Sequence, residues 1–405
     1  MQAQPAPPGI RVRINLLCQI ALGILAMAAC LPSMPFWMEH FGESQARVQL
    51  TFAAYLIAFA FTQLIYGALS DSYGRRRVLI AGLLIGLAGT VLAIFAQSLD
   101  GIIAARALQG AGTCSGMAVG RAMIQDSFVG AALTRMMAYV GMVMGLCPPA
   151  GTLLGGQLHV AFGWRASFVA IALVSVMLLL AAWFGLPHNR PQPARRPSLR
   201  QMLGSYRTLA GNMPYLSFCL VVAFSSSAFY VFLAATPIVL DSYGVAPNRI
   251  GWYILFVPVS YIVGNLLTTR LAGNLDDKHL MVIGQCLNVT GISCVLLLAV
   301  SGWHTPLAVA APLALLGLGH GLLMPPSLAG AVGAIPALAG AAAAMAGMLQ
   351  QLTGAIASSM TGFIDLTAGT DMAALMLLLT ALAISAQFLP RLARMKTSSD
   401  ASTAD

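Results

Sequence analysis

Gly67-Ala68-Leu69-Ser70-Asp71-Ser72-Tyr73-Gly74-Arg75-Arg76-Arg77-Val78-Leu79 is a short charged turn between two apolar runs. Each run lasts roughly 20 residues, the length a helix needs to cross a hydrocarbon core ~30 Å thick. Gly74 offers the backbone freedom for a tight reversal, and Gly67 lets a neighbouring helix come close. Asp71 stands at a helix end, where the arginines can pair with it while holding the turn on the aqueous side. A hairpin of two membrane spans is the smallest unit of fold that the chain spells out.

The rest of the sequence repeats this pattern. Its 405 residues are 59% hydrophobic and 8% charged, too apolar for a water-soluble surface of ordinary polarity. Turn signals place spans near 14–34, 48–69, 78–97, 102–124, 135–158 and 165–186, and again near 214–240, 250–272, 280–301, 305–327, 340–364 and 371–390. The expected fold is an all-α polytopic membrane protein of twelve transmembrane helices in two six-helix bundles. Its parts are a tail at 1–13, bundles at 14–186 and 214–390, a linker at 187–213 and a tail at 391–405. The linker carries Pro187, Pro191, Pro193 and Pro197 among Arg190, Arg195, Arg196, Arg200 and Arg207.

Short cytoplasmic loops retain Lys and Arg. With both termini inside, that side holds Arg11, Arg13, Arg75 to Arg77, Arg135, the linker arginines, Arg270, Lys278, Arg391, Arg394 and Lys396, against Arg47, Arg165 and Arg249 outside. Trp37, Trp164, Trp252 and Trp303 fall near the outer boundary, where interfacial anchors sit. The net charge of +9 thus reflects topology in a bilayer and not nucleic-acid binding. The first apolar segment lacks a small-residue cleavage site and reads as a retained helix. The seven cysteines contain no C-x-x-C pair and read as packing residues.

The opening turn resembles the G-x-L-[AS]-D-x-x-G-R-[KR] loop of the major facilitator superfamily at every defined position. Arg106, Gln109, Gly110 and Gly112 resemble the fourth-helix motif of its drug:proton antiporter branch. Gly120-Arg121 through Asp126 and Gly163-Trp164-Arg165-Ala-Ser-Phe168 are similar to the bicyclomycin-resistance (Bcr/CflA) group. Gly145 to Gly156, with Pro148, Pro149, Gly151, Gly155 and Gly156, resembles the antiporter motif of the fifth helix, although Thr152 stands where that motif has proline. The resemblance implies the major facilitator fold, with two bundles around a cavity that opens alternately to each side. It also implies a latch between loops, with Asp71, Arg75 and Asp126 as an ionic cluster. Gly264-Asn-Leu followed by Asp276-Asp277-Lys278 looks like a decayed second copy of the loop. A purely topological role for the charges, and plain small-residue packing for the glycines, are the alternatives.

All 12 acids fall in loops, tails or helix ends. Bicyclomycin-group relatives usually carry an Asp in the first helix; Ala28 occupies that place here. Arg106 and Arg121 nevertheless remain on the fourth helix, and His320, read as the one histidine inside the membrane, stands on the tenth between Gly319 and Gly321. Without a carboxylate, Arg106 must turn to carbonyls, Gln109, water or a ligand, because unpaired burial costs several kcal/mol. A cavity with this cation and no acid should favour neutral or anionic solutes. Candidate wall residues are Tyr55, Gln63 and Tyr139 in the first half, and Phe229, Tyr230, Tyr261, Gln285, Asn288, Met324, Gln350 and Gln351 in the second. His320 and Asp126 are candidate proton sites, each with a structural role as its alternative.

No H-E-x-x-H, G-x-S-x-G, buried acid pair or Gly-x-x-x-x-Gly-Lys appears, which argues against an enzyme, a metal or other cofactor, and an ATP-driven pump. The reading is a secondary-active exporter of small organic molecules, drugs or polar metabolites such as siderophores, with protons as coupling ion. It is expected to act as a monomer in a bacterial-type inner membrane. An uptake permease of the same fold, for a nutrient or iron chelate, is the alternative.

Overall fold

The structure, a computed structural model, describes residues 9–128, 130–187, 199–271 and 275–402. Arg190, Arg195 and Arg196 of the expected linker, and most of the first tail, lie outside the described residues. The helices are α1 (Ile10–Ala28), α2 (Met34–Phe41), α3 (Gln45–Tyr73), α4 (Arg75–Phe95), α5 (Leu99–Ser127), α6 (Gly130–Phe162), α7 (Arg165–Gly185), α8 (Leu199–Ala210), α9 (Met213–Ser242), α10 (Pro247–Ile254), α11 (Phe256–Leu271), α12 (Asp277–Val300), α13 (Pro306–Gly333), α14 (Ala339–Met360) and α15 (Thr370–Ser402). Among the described residues, ten helical stretches are long and apolar enough to cross a membrane. α5 and α14 complete the expected twelve in length. α5 carries Arg106 and Arg121, however, and α14 is built largely of Ala, Gly, Gln and Ser.

Helix starts follow local chemistry. Ser98 Oγ accepts from the Gly101 N–H at 3.2 Å and Asn212 Oδ1 from the Tyr215 N–H at 2.9 Å, each satisfying an N-terminal donor that the helix cannot. Gly74 closes α3 and opens α4 at φ 96°, ψ 134°, a conformation that a Cβ would oppose. Prolines set two breaks. Pro32, in the 3-10 turn Leu31–Ser33, separates α1 from α2. Pro258 has no N–H for the Ile254 carbonyl, so the single helix expected at 250–272 is two, with α10 ending at Ile254.

Two compact units result, α1–α7 with α10 and α8–α9 with α11–α15. They repeat one packing plan. In the first, α5 packs most heavily against α3 and α4; in the second, α13 packs most heavily against α11 and α12. Likewise α1 packs on α6 and α5, as α9 does on α14 and α13. Small residues allow this closeness. A Cβ on Gly86 would stand 3.1 Å from Thr113 N, one on Gly89 2.8 Å from the Ala105 carbonyl, and one on Gly291 2.7 Å from the Pro312 carbonyl. Dispersion between closely apposed backbones is what holds helices together where lipid removes the hydrophobic drive.

Three expectations need correction here. The segment between the bundles is not simply a linker, because α8 lies in it and Leu209 packs with Tyr215, Cys219 and Ala342. Trp37 and Trp164 are not interfacial anchors: both are buried, with ring centroids 5.7 Å apart, and both pack on Phe168. Trp252 and Trp303 are exposed as an anchor would be. Finally, α6 runs to Phe162 and takes His159 into a candidate span, so His320 is not the one histidine there.

Candidate functional site

The charged turn folds into a three-helix cluster. Arg75 pairs with Asp71, donates from Nε to Asp126 Oδ2 on α5 at 2.9 Å, and donates from a terminal nitrogen to Ser70 Oγ at 2.6 Å. α3, α4 and α5 thus meet on one guanidinium. At the opposite ends of α3 and α5, Arg47 pairs with Asp100 and with Glu43 at 3.3 Å, a brace that sequence reading missed. Arg76 serves elsewhere: it donates to the carbonyls of Ala182 and Trp183 at the end of α7. Arg165 at the start of α7 returns the contact, reaching the carbonyls of Ile94 and Ala96 at the end of α4 at 3.1 and 3.0 Å. Cations on helix C-termini complement the macrodipole. Gly67 does not fulfil its expected part, since an added Cβ would meet nothing within 4 Å.

Arg106 follows the same logic deeper inside. Its side chain is fully buried on α5. One terminal nitrogen donates to the Ala26 carbonyl at 2.8 Å and to Gln109 Oε1 at 2.5 Å, and the other donates to the Met27 carbonyl at 3.2 Å. Its guanidinium carbon lies 4.3 Å from the Tyr55 ring centroid, within cation–π range. Pro32 stops α1 at Ala28, and a helix ending there leaves last-turn carbonyls without intrahelical donors. The negative end of α1 thus faces the cation. Gln109 is fixed in turn by donating to Thr90 Oγ1 at 2.9 Å, and the Tyr55 hydroxyl lies 2.6 Å from both the Gly23 carbonyl and Thr113 Oγ1. Tyr55 therefore holds the arginine in place and presents no free hydroxyl.

Glycines position these groups. Gly110 abuts the backbone of Tyr55, and Gly112 lies against Gly86 and Gly82. On α6, Gly151 faces Ala28 and Leu25, Gly155 faces Ala29, and Gly156 faces Pro247 of α10. Pro148 and Pro149 interrupt the hydrogen bonding of α6, while the Thr152 hydroxyl donates to the Pro148 carbonyl at 2.8 Å. Ser33 Oγ lies 2.9 Å from His159 Nδ1, tying the α1 break to the far end of α6. Arg121 donates to Met144 Sδ at 2.8 Å.

The second unit gathers several predicted residues around α9. His320 is buried, with Nδ1 3.1 Å from the Leu316 carbonyl oxygen and Nε2 2.8 Å from that of Ser225. Phe229 stacks obliquely on it at 6.3 Å. Gln350 Nε2 donates to Ser226 Oγ at 2.9 Å, and the Tyr230 hydroxyl donates to Gln351 Oε1. Gln285 and Asn288 are buried on α12, where Asn288 faces Gly319. Gln285 Nε2 and Oε1 and Asn288 Oδ1 have no hydrogen-bond partner among the described residues. Met324 is buried, Tyr261 and Gln63 are half-buried, and Tyr139 is exposed. The decayed second turn has no counterpart of the Arg75 cluster among the described residues; Asp276 Oδ2 stands 3.9 Å from His279 Nδ1. Ser225, Ser226, Thr90 and Thr113 were not anticipated, because a Ser or Thr in a helix satisfies itself in most settings.

Comparison with known proteins agrees with this repeated plan. The family profile described as Major Facilitator Superfamily matches residues 16–358. The chain is 28% identical over 396 residues to Multidrug resistance protein D of Escherichia coli (strain K12), covering 95% of this chain and 97% of that protein. It is 30% identical over 331 residues to Multidrug transporter MdfA of Yersinia pestis bv. Antiqua (strain Angola), covering 80% of each. Among solved structures, a D-xylose-proton symporter shares the fold with a TM-score of 0.75 at 13% identity, over 94% of this chain and 96% of that one. A match along most of the chain, two units built on one packing plan and the Asp71–Arg75 turn lead to one conclusion: this protein belongs to the Major Facilitator Superfamily.

Proposed function

We propose that the protein is a secondary-active exporter of small organic molecules, working by alternating access and driven by protons, in a bacterial inner membrane with both termini cytoplasmic. Relatives named as a multidrug resistance protein, over 95% of the chain, and as a multidrug transporter, over 80% of it, support export as the direction. The cargo is neutral or anionic, drug or polar metabolite such as a siderophore, and the protein acts as a monomer. One observation carries the cargo assignment. Arg106 is buried against carbonyls, an amide and a ring, with no carboxylate bonded to it among the described residues. Helix-end dipoles offset only part of a full charge, so the interior of the first unit stays positive and disfavours a permanent cation. Because the guanidinium is fully covered, it acts through its field and not by touching cargo. Asp71, Arg75 and Asp126 serve as the latch that stabilises one state of the cycle.

Transport into inverted membrane vesicles under an imposed pH gradient tests this reading. The probes are the neutral dihydroxamate chelator rhodotorulic acid and the permanent cation tetraphenylphosphonium. The expected result is accumulation of the chelator by the wild type and a shift of preference toward the cation in Arg106→Gln. A wild type that prefers the cation, or that carries the chelator only in the opposite direction, overturns it.

A further inference from the structure

Both ring nitrogens of buried His320 face hydrogen-bond acceptors. Its two nitrogens face two carbonyl oxygens, Leu316 one turn back on α13 and Ser225 across on α9, at 3.1 and 2.8 Å. A carbonyl oxygen only accepts. A neutral imidazole has one N–H and one lone pair, so it can satisfy one of these oxygens and must turn its lone pair on the other at hydrogen-bonding distance. The imidazolium satisfies both.

Among the described residues, no carboxylate supplies the stabilisation instead. Of the elements packed against α13, α9 contributes Tyr230, whose hydroxyl is engaged by Gln351, and its one acid, Asp241, lies at its far end. α11 contributes Tyr261, with Arg270 exposed about 9 Å further along the helix axis than Gly264, which abuts Gly321. On α12, Asn288 faces Gly319, and Asp277, Lys278 and His279 lie in the first turn, about 14 to 17 Å away along the axis; Cys286 and Cys294 are its remaining titratable groups. α14 contributes none. Ser225 itself holds a buried hydroxyl without a hydrogen-bond partner among the described residues.

We propose that His320 is the proton carrier of the transport cycle, and that the structure describes its protonated state, in which the imidazolium ties α9 to α13. The inference rests on the proton-driven reading above. In the step it describes, one proton leaves Nε2 for water on one side and one is taken up from the other, with no other bond made or broken. The Nδ1 contact lies within one helix and persists; the Nε2 contact joins two helices and parts, which is how protonation can alter the packing of the second unit.

The test uses full-length protein in vesicles with the membrane potential clamped, and rhodotorulic acid as probe. A one-unit pH gradient coupled to one proton sustains about tenfold accumulation. The wild type is expected to reach it, and His320→Gln to fall to equilibration while still exchanging labelled for unlabelled probe. Tenfold accumulation by His320→Gln overturns the proposal and leaves the exporter reading standing. A wild type indifferent to the gradient removes the proton-driven reading, and the proposal falls with it. If His320→Gln loses exchange as well, nitrogen NMR decides, on a chain whose other five of six histidines are replaced. A ring protonated at both nitrogens in acid that loses one proton on alkalinisation supports the proposal; a neutral ring throughout overturns it.

Discussion

α5 and α13 hold the same place in the two units, and each buries one nitrogen-rich head group against backbone carbonyls. Arg106 in α5 meets the open end of a broken helix; His320 in α13 meets the side of an unbroken one. The guanidinium never loses its proton in a protein, so its site can only be a fixed positive centre. The imidazole can, so its site can change state. One packing plan therefore carries a permanent charge in one half and, on the proposal above, a switchable one in the other, and the difference lies in the side chain on each fourth helix and in the helix end or side that it meets.

The comparison breaks most visibly if the two helices do not rely on their glycines equally. Gly112→Val and Gly319→Val should each cost about 3 kcal/mol, the upper range for overpacking, because each added side chain drives into neighbouring backbone or a buried amide. Both should abolish recovery of monodisperse protein on size-exclusion chromatography, whereas Gly67→Ala, with open space around it, should be recovered like wild type. A tolerated Gly319→Val would mean that the second unit packs more loosely than the first.

Arg106→Lys sharpens the same comparison at a smaller scale. The charge stays, but one ammonium cannot span the Ala26 and Met27 carbonyls as a guanidinium fork does. A loss of about 2 kcal/mol is expected for a charged hydrogen bond given up, read as a lower melting temperature in detergent. An unchanged melting temperature would show that charge alone holds the end of α1.

Smallest is the charged turn, present in the first unit and unmatched in the second. Arg75 and Asp126 are partly exposed, so Asp126→Asn should cost only ~0.5 kcal/mol. The difference from wild type should shrink as salt rises. A salt-independent loss would mean that the cluster is shielded from solvent.

Much of this was legible in the chain. The span positions and the Asp71–Gly74–Arg75 turn follow from where charges interrupt apolar runs, whereas the grouping of Asp126 with that turn came from the family resemblance. The break at Ile254 was also signalled, by Pro258 four residues on, but its apolar flanks masked the interruption. Legibility ended at the interior. Gln285 and Asn288 read as polar wall and lie buried on α12, and Tyr55 reads as an aromatic face for a ligand and is spent on Arg106.

The sequence by itself determined that the chain crosses the membrane many times and where its charged turns fall, because the cost of placing a charge in hydrocarbon depends on local composition. Only the tertiary structure decided what Arg106 and His320 touch. Beside the local partners Gln109 and Leu316, each meets a backbone carbonyl, 80 and 95 residues away, and every residue has a carbonyl, so no letter in the sequence marks the distant ones that a buried head group will find.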